Sequence, residues 1–181
     1  MKRVLPAAAV LILTLTGCIL TSEKYKSPGL YDLSTDHHVC ISALNRLRVK
    51  NISGSDRRFL YRIEGNKMKF DEYNFWILSP EQLIRRALDT SFSKRCKKAA
   101  NLECSISRFE FDLKSNEAIL ELAFTLSKDN KSKSGFYSVR KKFAGKTASE
   151  VACAMDKCVS DAVKHLDSAV TEFSAKGGKE R

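Results

Sequence analysis

The sequence predicts an α+β domain, a two-layer α/β sandwich in which a mostly antiparallel sheet packs against two main helices. Three observations carry this. From residue 109 to 143, apolar residues alternate with polar ones through three runs separated by polar breaks. Two other stretches, 79–92 and 147–173, repeat apolar residues at spacings of three and four. A sheet with one apolar face and two helices with apolar stripes bury one another's hydrophobic surface, and the two-layer sandwich is the solution.

The chain opens with Met1 to Gly17, where Lys2 and Arg3 precede a nearly unbroken apolar run from Val4 to Leu15. That run falls short of the roughly 20 apolar residues needed to span a bilayer. A basic start, apolar middle and small-residue end are the build of a cleaved signal peptide, expected over 1–17. Leu15-Thr16-Gly17-Cys18 resembles the lipobox of bacterial lipoproteins, in which the thiol receives a diacylglycerol and cleavage exposes the cysteine amine. Cys18 is therefore the expected lipidation site, held on the membrane by more than one acyl chain, palmitate among them. Ile19 stands where enterobacterial lipoproteins kept in the inner membrane usually carry Asp, so that resemblance points to the outer membrane, with the body facing the periplasm.

Removing Met1 to Gly17 takes away Lys2 and Arg3 and no acid, so the formal charge falls from +11 to +9. About 164 residues remain, enough for one ordinary domain. Residues 18–29, polar from Thr21 on and ending in Pro28 and Gly29, read as a lipidated tether; 30–174 reads as the folded domain and 175–181 as a flexible tail. Basic residues cluster at Arg57-Arg58, Lys94 to Lys98, Lys128 to Lys133 and Arg140 to Lys142. Export argues against nucleic acid as their partner; such a surface suits anionic headgroups or an acidic protein, or is simply a solvated face.

Export also permits disulfides. Lipidation leaves Cys40, Cys96, Cys104, Cys153 and Cys158 as disulfide candidates, an odd number that strands at least one thiol in a monomer. Cys153 and Cys158 lie five apart in a helical stretch, on different faces, so each would pair with another element. No metal site is expected, because adjacent His37-His38 is followed by no ligands at a recognisable spacing.

Along the domain, Tyr31-Asp32-Leu33 predicts a short leading strand, and a second lies within Val39 to Lys50. Asn51 to Asp56 breaks it. Phe59 to Ile63 and Lys67 to Phe70 form a hairpin about Gly65-Asn66. Ser79, Pro80 and Gln82 supply a helix cap, a first-turn proline and a capping box. Leu83, Ile84, Ala87, Leu88 and Phe92 then make the stripe of a helix ending near Lys94 to Lys98. Three strands follow, centred on Phe109 to Leu113, Ala118 to Leu126 and Tyr137 to Phe143, with a polar loop from Ser127 to Ser134. Thr147 and Glu150 form a second capping box. Val151, Met155, Val159, Ala162, Leu166, Ala169 and Phe173 then line a helix of up to about 27 residues, while Asp156, Lys157, Asp161, Lys164 and Asp167 keep its other side wet.

No catalytic grouping converges. Ser55 sits in a polar loop without a nucleophile elbow and no phosphate-binding glycine loop is present. His37, His38 and His165 could each serve as a base in principle, with His165, beside the stripe of the last helix, read as structural. The reading is non-enzymatic, without catalytic residues or cofactor. The aromatic segment is more informative. Tyr61, Arg62, Tyr73 and Trp76 either plug one edge of the core or contact a partner or lipid, since rigid aromatics and arginine give much contact energy for little ordering cost.

The succession Tyr31-Asp32-Leu33, Tyr61-Arg62, Asn66, Tyr73 to Trp76 and Leu83 to Leu88 resembles the auxiliary lipoproteins of ABC-type transport systems, the group that includes the lipoprotein of the paraquat-inducible operon. The likeness covers most of the mature chain, with its specific part within about thirty residues. It implies a periplasmic accessory beside an ABC permease, its ATPase and a mammalian-cell-entry-type protein, moving phospholipid or related molecules between inner and outer membranes. The runner-up is a scaffold lipoprotein of another envelope complex, and an exported hydrolase comes third.

Overall fold

A computed structural model describes residues 27–176 apart from Thr35, Ser93 and Lys146. The signal peptide, Cys18, most of the tether and residues 177–181 lie outside the described residues. Among those described, seven strands form one open sheet and two helices share one core with it. In chain order these are β1 (Gly29–Tyr31), β2 (Leu44–Asn51), β3 (Arg58–Glu64), β4 (Lys67–Trp76), α1 (Pro80–Ser91), β5 (Ala100–Asp112), β6 (Glu117–Lys128), β7 (Lys131–Lys142) and α2 (Ala148–Lys176).

The strands run in the order β1-β4-β3-β5-β6-β7, with β2 also on β5. The long ladders β5–β6 and β6–β7 are antiparallel, as is the hairpin β3–β4. Three pairings are parallel: β1 on β4, β2 on β5 and β3 on β5. The α+β sandwich is thus built on a mixed sheet. Alternation reports which face a residue takes and not the direction of the neighbouring strand, and the long stretches of chain between the paired strands leave parallel pairing open. One edge of β5 serves two strands, β2 along residues 100–106 and β3 at Phe111 and Asp112. In the gap between them Ser55, buried, donates its hydroxyl to the Phe109 carbonyl at 2.8 Å.

Both capping boxes form. Ser79 Oγ accepts from the Gln82 amide while Gln82 Oε1 accepts from the Ser79 amide, and Thr147 and Glu150 do the same at 3.3 Å each way. The stripe of α1 is buried as read, but the helix stops at Ser91, where the Phe92 amide donates to the Leu88 carbonyl. The lysines at 94–98 lie past its end, and Arg95 alone reaches back to the Phe92 carbonyl. On α2 the predicted stripe is buried from Val151 to Ala169, and Ala152, Ala154, Cys158, Val163 and Val170 widen it. Helix α2 also takes in Ala175, assigned to the tail, and β1 takes in Gly29, assigned to the tether.

Strand β5 starts nine residues before the expected one. Ala100, Leu102, Cys104 and Ile106 face the core, and then a register shift between Ile106 and Arg108 inverts the phase so that Phe109 and Phe111 face it. The bulge splits one strand into two patterns out of step. Strand β7 replaces most of the expected loop 127–134, and a tight turn at Asp129, with φ of 51°, joins it to β6. Its first half, Lys131 to Ser134, is exposed and carries no apolar signal. It is an edge strand, and its lysines and Arg140 guard that edge against further strands.

Gly135 on β7 lies under a core ring. A Cβ there would meet Phe124 Cζ at 2.4 Å, and that ring is held edge-on against His165 at 5.9 Å. Gly135→Ala is therefore expected to destabilise the domain by about 1–3 kcal/mol, read as a lower urea midpoint at unchanged slope.

Candidate functional site

Trp76 ends β4 and is 1% exposed. Its ring lies 4.6 Å from Phe59, 5.5 Å from Phe109 and 6.3 Å from Phe111, centroid to centroid. As a partner or lipid contact it is corrected: the indole fills the core between β3, β4 and β5. Tyr61 is half-buried, 5.7 Å from Phe111, and hydrogen-bonds Asp71. Burial and then the Asp71 carboxylate push its phenol pKa up. Tyr73 is 39% exposed and belongs to a bulge of β4. Leu60 pairs with Phe70 and Arg58 with Phe75, so residues 71–74 loop out opposite Phe59. Asp71 organises that loop by accepting from the amides of Tyr73 (2.8 Å) and Asn74 (3.1 Å).

Arg62 lies on the face of the sheet away from the helices, in a four-residue ion network. Its Nε donates to Glu110 Oε1 at 2.8 Å and its Nη2 to Oε2 at 3.2 Å. Arg108 Nε reaches Glu110 Oε1 at 3.1 Å, and Arg108 Nη1 reaches Glu121 Oε1 at 3.1 Å. The Glu110 side chain is only 5% exposed. Burial alone would raise its pKa, but Arg62 and Arg108 together hold it below the ordinary carboxylate range. Nearby, the Arg58 guanidinium sits 4.1 Å over Phe70. Leu30, 63% exposed, and Phe136, 59% exposed, extend this helix-free face toward its two edges. Of the four aromatic-segment residues named from sequence, Tyr73 and Arg62 reach the surface, and Arg62 does so with its charge already committed.

The groups most able to do chemistry lie elsewhere, on a strap from Asp32 to Ala43 that crosses α2. Sequence placed a strand within Val39 to Lys50 and a wet Asp167 here; the strand runs from Leu44 to Asn51, and Asp167 is 7% exposed beneath the strap. Asp167 accepts from the amides of Ile41 (3.3 Å) and Ser42 (3.2 Å) and pairs with His38 Nε2 at 3.2 Å. Ser42 Oγ bonds Thr171 Oγ1 at 2.7 Å. Beside it, His37 is buried with its Nε2 3.9 Å from Asp156 Oδ1 and no hydrogen-bond partner among the described residues. Cys40 lies two residues from His38, yet its Sγ faces the His38 carbonyl, and burial followed by the Asp167 charge pushes its pKa up to about 12. An activated thiol needs the opposite shift. His165 instead stacks on Tyr137 at 4.3 Å.

The described cysteines are all free thiols, which corrects the disulfide expectation. Each belongs to a different setting. Cys40 lies buried on the strap itself, Cys104 on the core face of β5 in register with Phe124, and Cys158 on α2 against the Ala118 carbonyl, while Cys96 and Cys153 are exposed. Burial pushes Cys104 and Cys158 up to about 12. Among the described residues no group of His, Cys, Asp and Glu could hold a metal ion, and no helix is long and apolar enough to cross a membrane.

Removing the Asp167 carboxylate leaves two amides and an imidazole without their acceptor. Asp167→Ala is expected to cost about 1–3 kcal/mol, with hydrogen exchange at Ile41 and Ser42 rising more than in the core. Burial would raise the pKa of Asp167, but hydrogen bonds from Ser42, His38 and Ile41 hold it below its ordinary value. Its contribution is present above the ordinary aspartate pKa and is lost as pH falls through the lowered one.

Sequence reasoning missed Glu110 and Asp167. The signal for Glu110 was Arg108-Phe109-Glu110, opposite charges two apart on one strand face. For Asp167 it was an acid wedged between Leu166 and Ala169 of the stripe.

No family model matches the chain, and no curated protein matches it. Solved structures do. An uncharacterised protein superposes with a TM-score of 0.68 at 10% identity, over 80% of this chain and 99% of its own. A Xanthomonas campestris protein of the DUF330 family superposes with a TM-score of 0.65 at 13% identity, over 83% of this chain and 98% of its own. A Caulobacter crescentus protein provisionally named as a lipoprotein is looser, with a TM-score of 0.42 at 15% identity over 72% and 92%. At these identities the first two likenesses establish a shared fold over nearly the whole of each neighbour.

Proposed function

We propose that this chain is a non-enzymatic lipoprotein, held by acyl chains on Cys18 at the periplasmic side of the outer membrane, that serves as an accessory component of an ABC-type lipid transport system. Its neighbours in that reading are an ABC permease and a mammalian-cell-entry-type protein, and ATP hydrolysis belongs to a partner. The observation that supports this best is where the resemblance residues fall. Tyr61, Arg62 and Asn66 lie in the β3–β4 hairpin, Trp76 closes β4, and Leu83 and Leu88 are among the buried residues of α1, the next element in the chain. The pattern thus follows one stretch of chain, hairpin then helix: Trp76, Leu83 and Leu88 are core, α1 packs chiefly on β2, and the outer face of the hairpin is free of helices.

Chemistry of the side chains agrees with an accessory role. The Cys40 thiol is enclosed and its pKa is raised, and the carboxylates of lowered pKa at Glu110 and Asp167 are spent on holding arginines and a strap. What remains outward is contact surface: Tyr73 on its bulge, and the network-backed sheet face flanked by Leu30 and Phe136.

Gently solubilised envelopes carrying an affinity-tagged full chain test the proposal. A mammalian-cell-entry-type protein and a permease should co-purify, and the intact mass should show a chain that starts at an acylated Cys18. Recovery of secretion or lipopolysaccharide-export components instead would favour the scaffold alternative. An unacylated Cys18 would remove the placement from which the proposal starts.

A further inference from the structure

We infer that the cleft bounded by β2, the solvent side of α1 and the outer face of β5 is a binding site for a phosphate group, either free or on a glycerol-type headgroup. The cleft measures about 510 Å³, within the range of roughly 300–1,000 Å³ that small-molecule sites occupy. Arg46, Arg48, Arg85 and Arg95 line it, against two carboxylates, Asp89 and Glu103.

Those arginines divide into two kinds. Arg85 and Arg95 are positioned: both pair with Asp89, Arg85 Nε at 3.6 Å. Arg95 also donates to the Phe92 carbonyl at the end of α1 and sits in a bridge beside Leu44. One carboxylate shared by two guanidiniums leaves them with positive charge to spare. Arg46 and Arg48 have no hydrogen-bond or ion-pair partner among the described residues, and both are exposed. Four guanidinium groups gathered round one hollow repel one another, and an anion between them relieves that repulsion.

The backbone is bent to make this arrangement. Leu44 pairs with Ala100 and Leu47 with Leu102, so Asn45 and Arg46 together oppose Asn101 alone. That is a bulge, and bulges re-aim side chains where a regular strand would not deliver them. It sets Arg46 beside Asn101, whose Oδ1 is buried without a hydrogen-bond partner while its Nδ2 reaches Ser127 Oγ at 3.5 Å. Four cationic forks lining one cleft call for a ligand with an anionic group, such as a phosphate. Arginine forks bind such a group through paired N–H···O bonds, and a tetrahedral phosphate offers oxygens to more than one fork at once. The apolar lining is limited to Leu47 and Leu102, which suits a headgroup and gives no room for acyl chains.

The inference is independent of the transport proposal, because binding requires no partner protein. Calorimetric titration of the full chain in a neutral detergent would use three probes: inorganic phosphate, sn-glycerol 3-phosphate and dihexanoyl phosphatidylglycerol. Saturable binding of any of them is expected. Preference for the first two would assign the site to a free anion, and preference for the third to a lipid headgroup. The exposed, unpaired Arg46 and Arg48 can be changed without harm to the fold, so Arg46→Gln with Arg48→Gln should weaken binding by about tenfold or more. Asp89→Asn, which frees Arg85 and Arg95, should tighten it. Arg140→Gln on β7, outside the cleft, should leave it unchanged. Lack of saturable binding by all three probes would overturn the inference, as would equal losses in the Arg140 variant and the double variant.

Discussion

Trp76→Ala is expected to lower the free energy of unfolding by about 3–5 kcal/mol, the cost of emptying a fully enclosed aromatic site. The indole is 1% exposed and touches Phe59 of β3 and both Phe109 and Phe111 of β5, so its loss leaves a cavity bounded by three strands. Those neighbours are themselves enclosed, at 0–2% exposure, and cannot collapse far into the space. The backbone there is fixed as well, because the Trp76 carbonyl accepts from Arg57 Nε at 3.1 Å and the Trp76 amide donates to the Arg57 carbonyl. Urea unfolding followed by far-ultraviolet dichroism measures the effect without needing the fluorophore, since the chain has one tryptophan. Trp76→Phe should recover more than half the loss. A cost below about 1 kcal/mol would mean that the ring is not packed as described.

Glu110→Gln should be the most damaging change on the helix-free face, at about 2–3 kcal/mol. Breaking a fully buried ion pair costs about 3–5 kcal/mol. Here Arg62 and Arg108 are each 25% exposed and can turn partly to water, which reduces the penalty. The acid dependence follows with a definite sign. Folding holds the Glu110 carboxyl below its ordinary range, so its contribution is complete above the ordinary glutamate pKa and disappears as pH falls through the lowered value. A plot of unfolding free energy against pH should therefore slope downward toward acid in the parent chain and flatten in Glu110→Gln. Equal slopes in both would show that the network does not hold that proton off.

What could be read from the residues alone was whatever obeys a local rule. Helix α2 was legible to within a turn and α1 at its start because a capping serine or threonine, an acid or amide three residues on and an unbroken stripe all agree. The end of α1 falls at Ser91, short of the expected Lys94 to Lys98. Strand β6 was legible because its period never falters. The first half of β5 was not, since the bulge at 106–108 reverses which parity faces inward, and β7 was not, since its opening residues carry no apolar member. Parallel pairing of β2 and β3 on one β5 edge depends on contacts some fifty residues apart, for which no short pattern exists. The candidate surfaces divide the same way. Trp76 was visible as unusual but its side of the sheet was not, and Arg62 was visible while its acid partner, forty-eight positions on, was not.

The double use of that β5 edge bears on the order in which the domain assembles. The meander β5–β6–β7 closes through short turns, whereas β2 and β3 must return across long stretches of chain, whose closure costs entropy before any contact repays it. Pulse-labelled refolding should find amides of the β5–β6–β7 ladders protected earliest and those of β2 and β3 later. Substitutions inside the meander would then slow refolding, while those in the β3–β4 hairpin would mainly hasten unfolding.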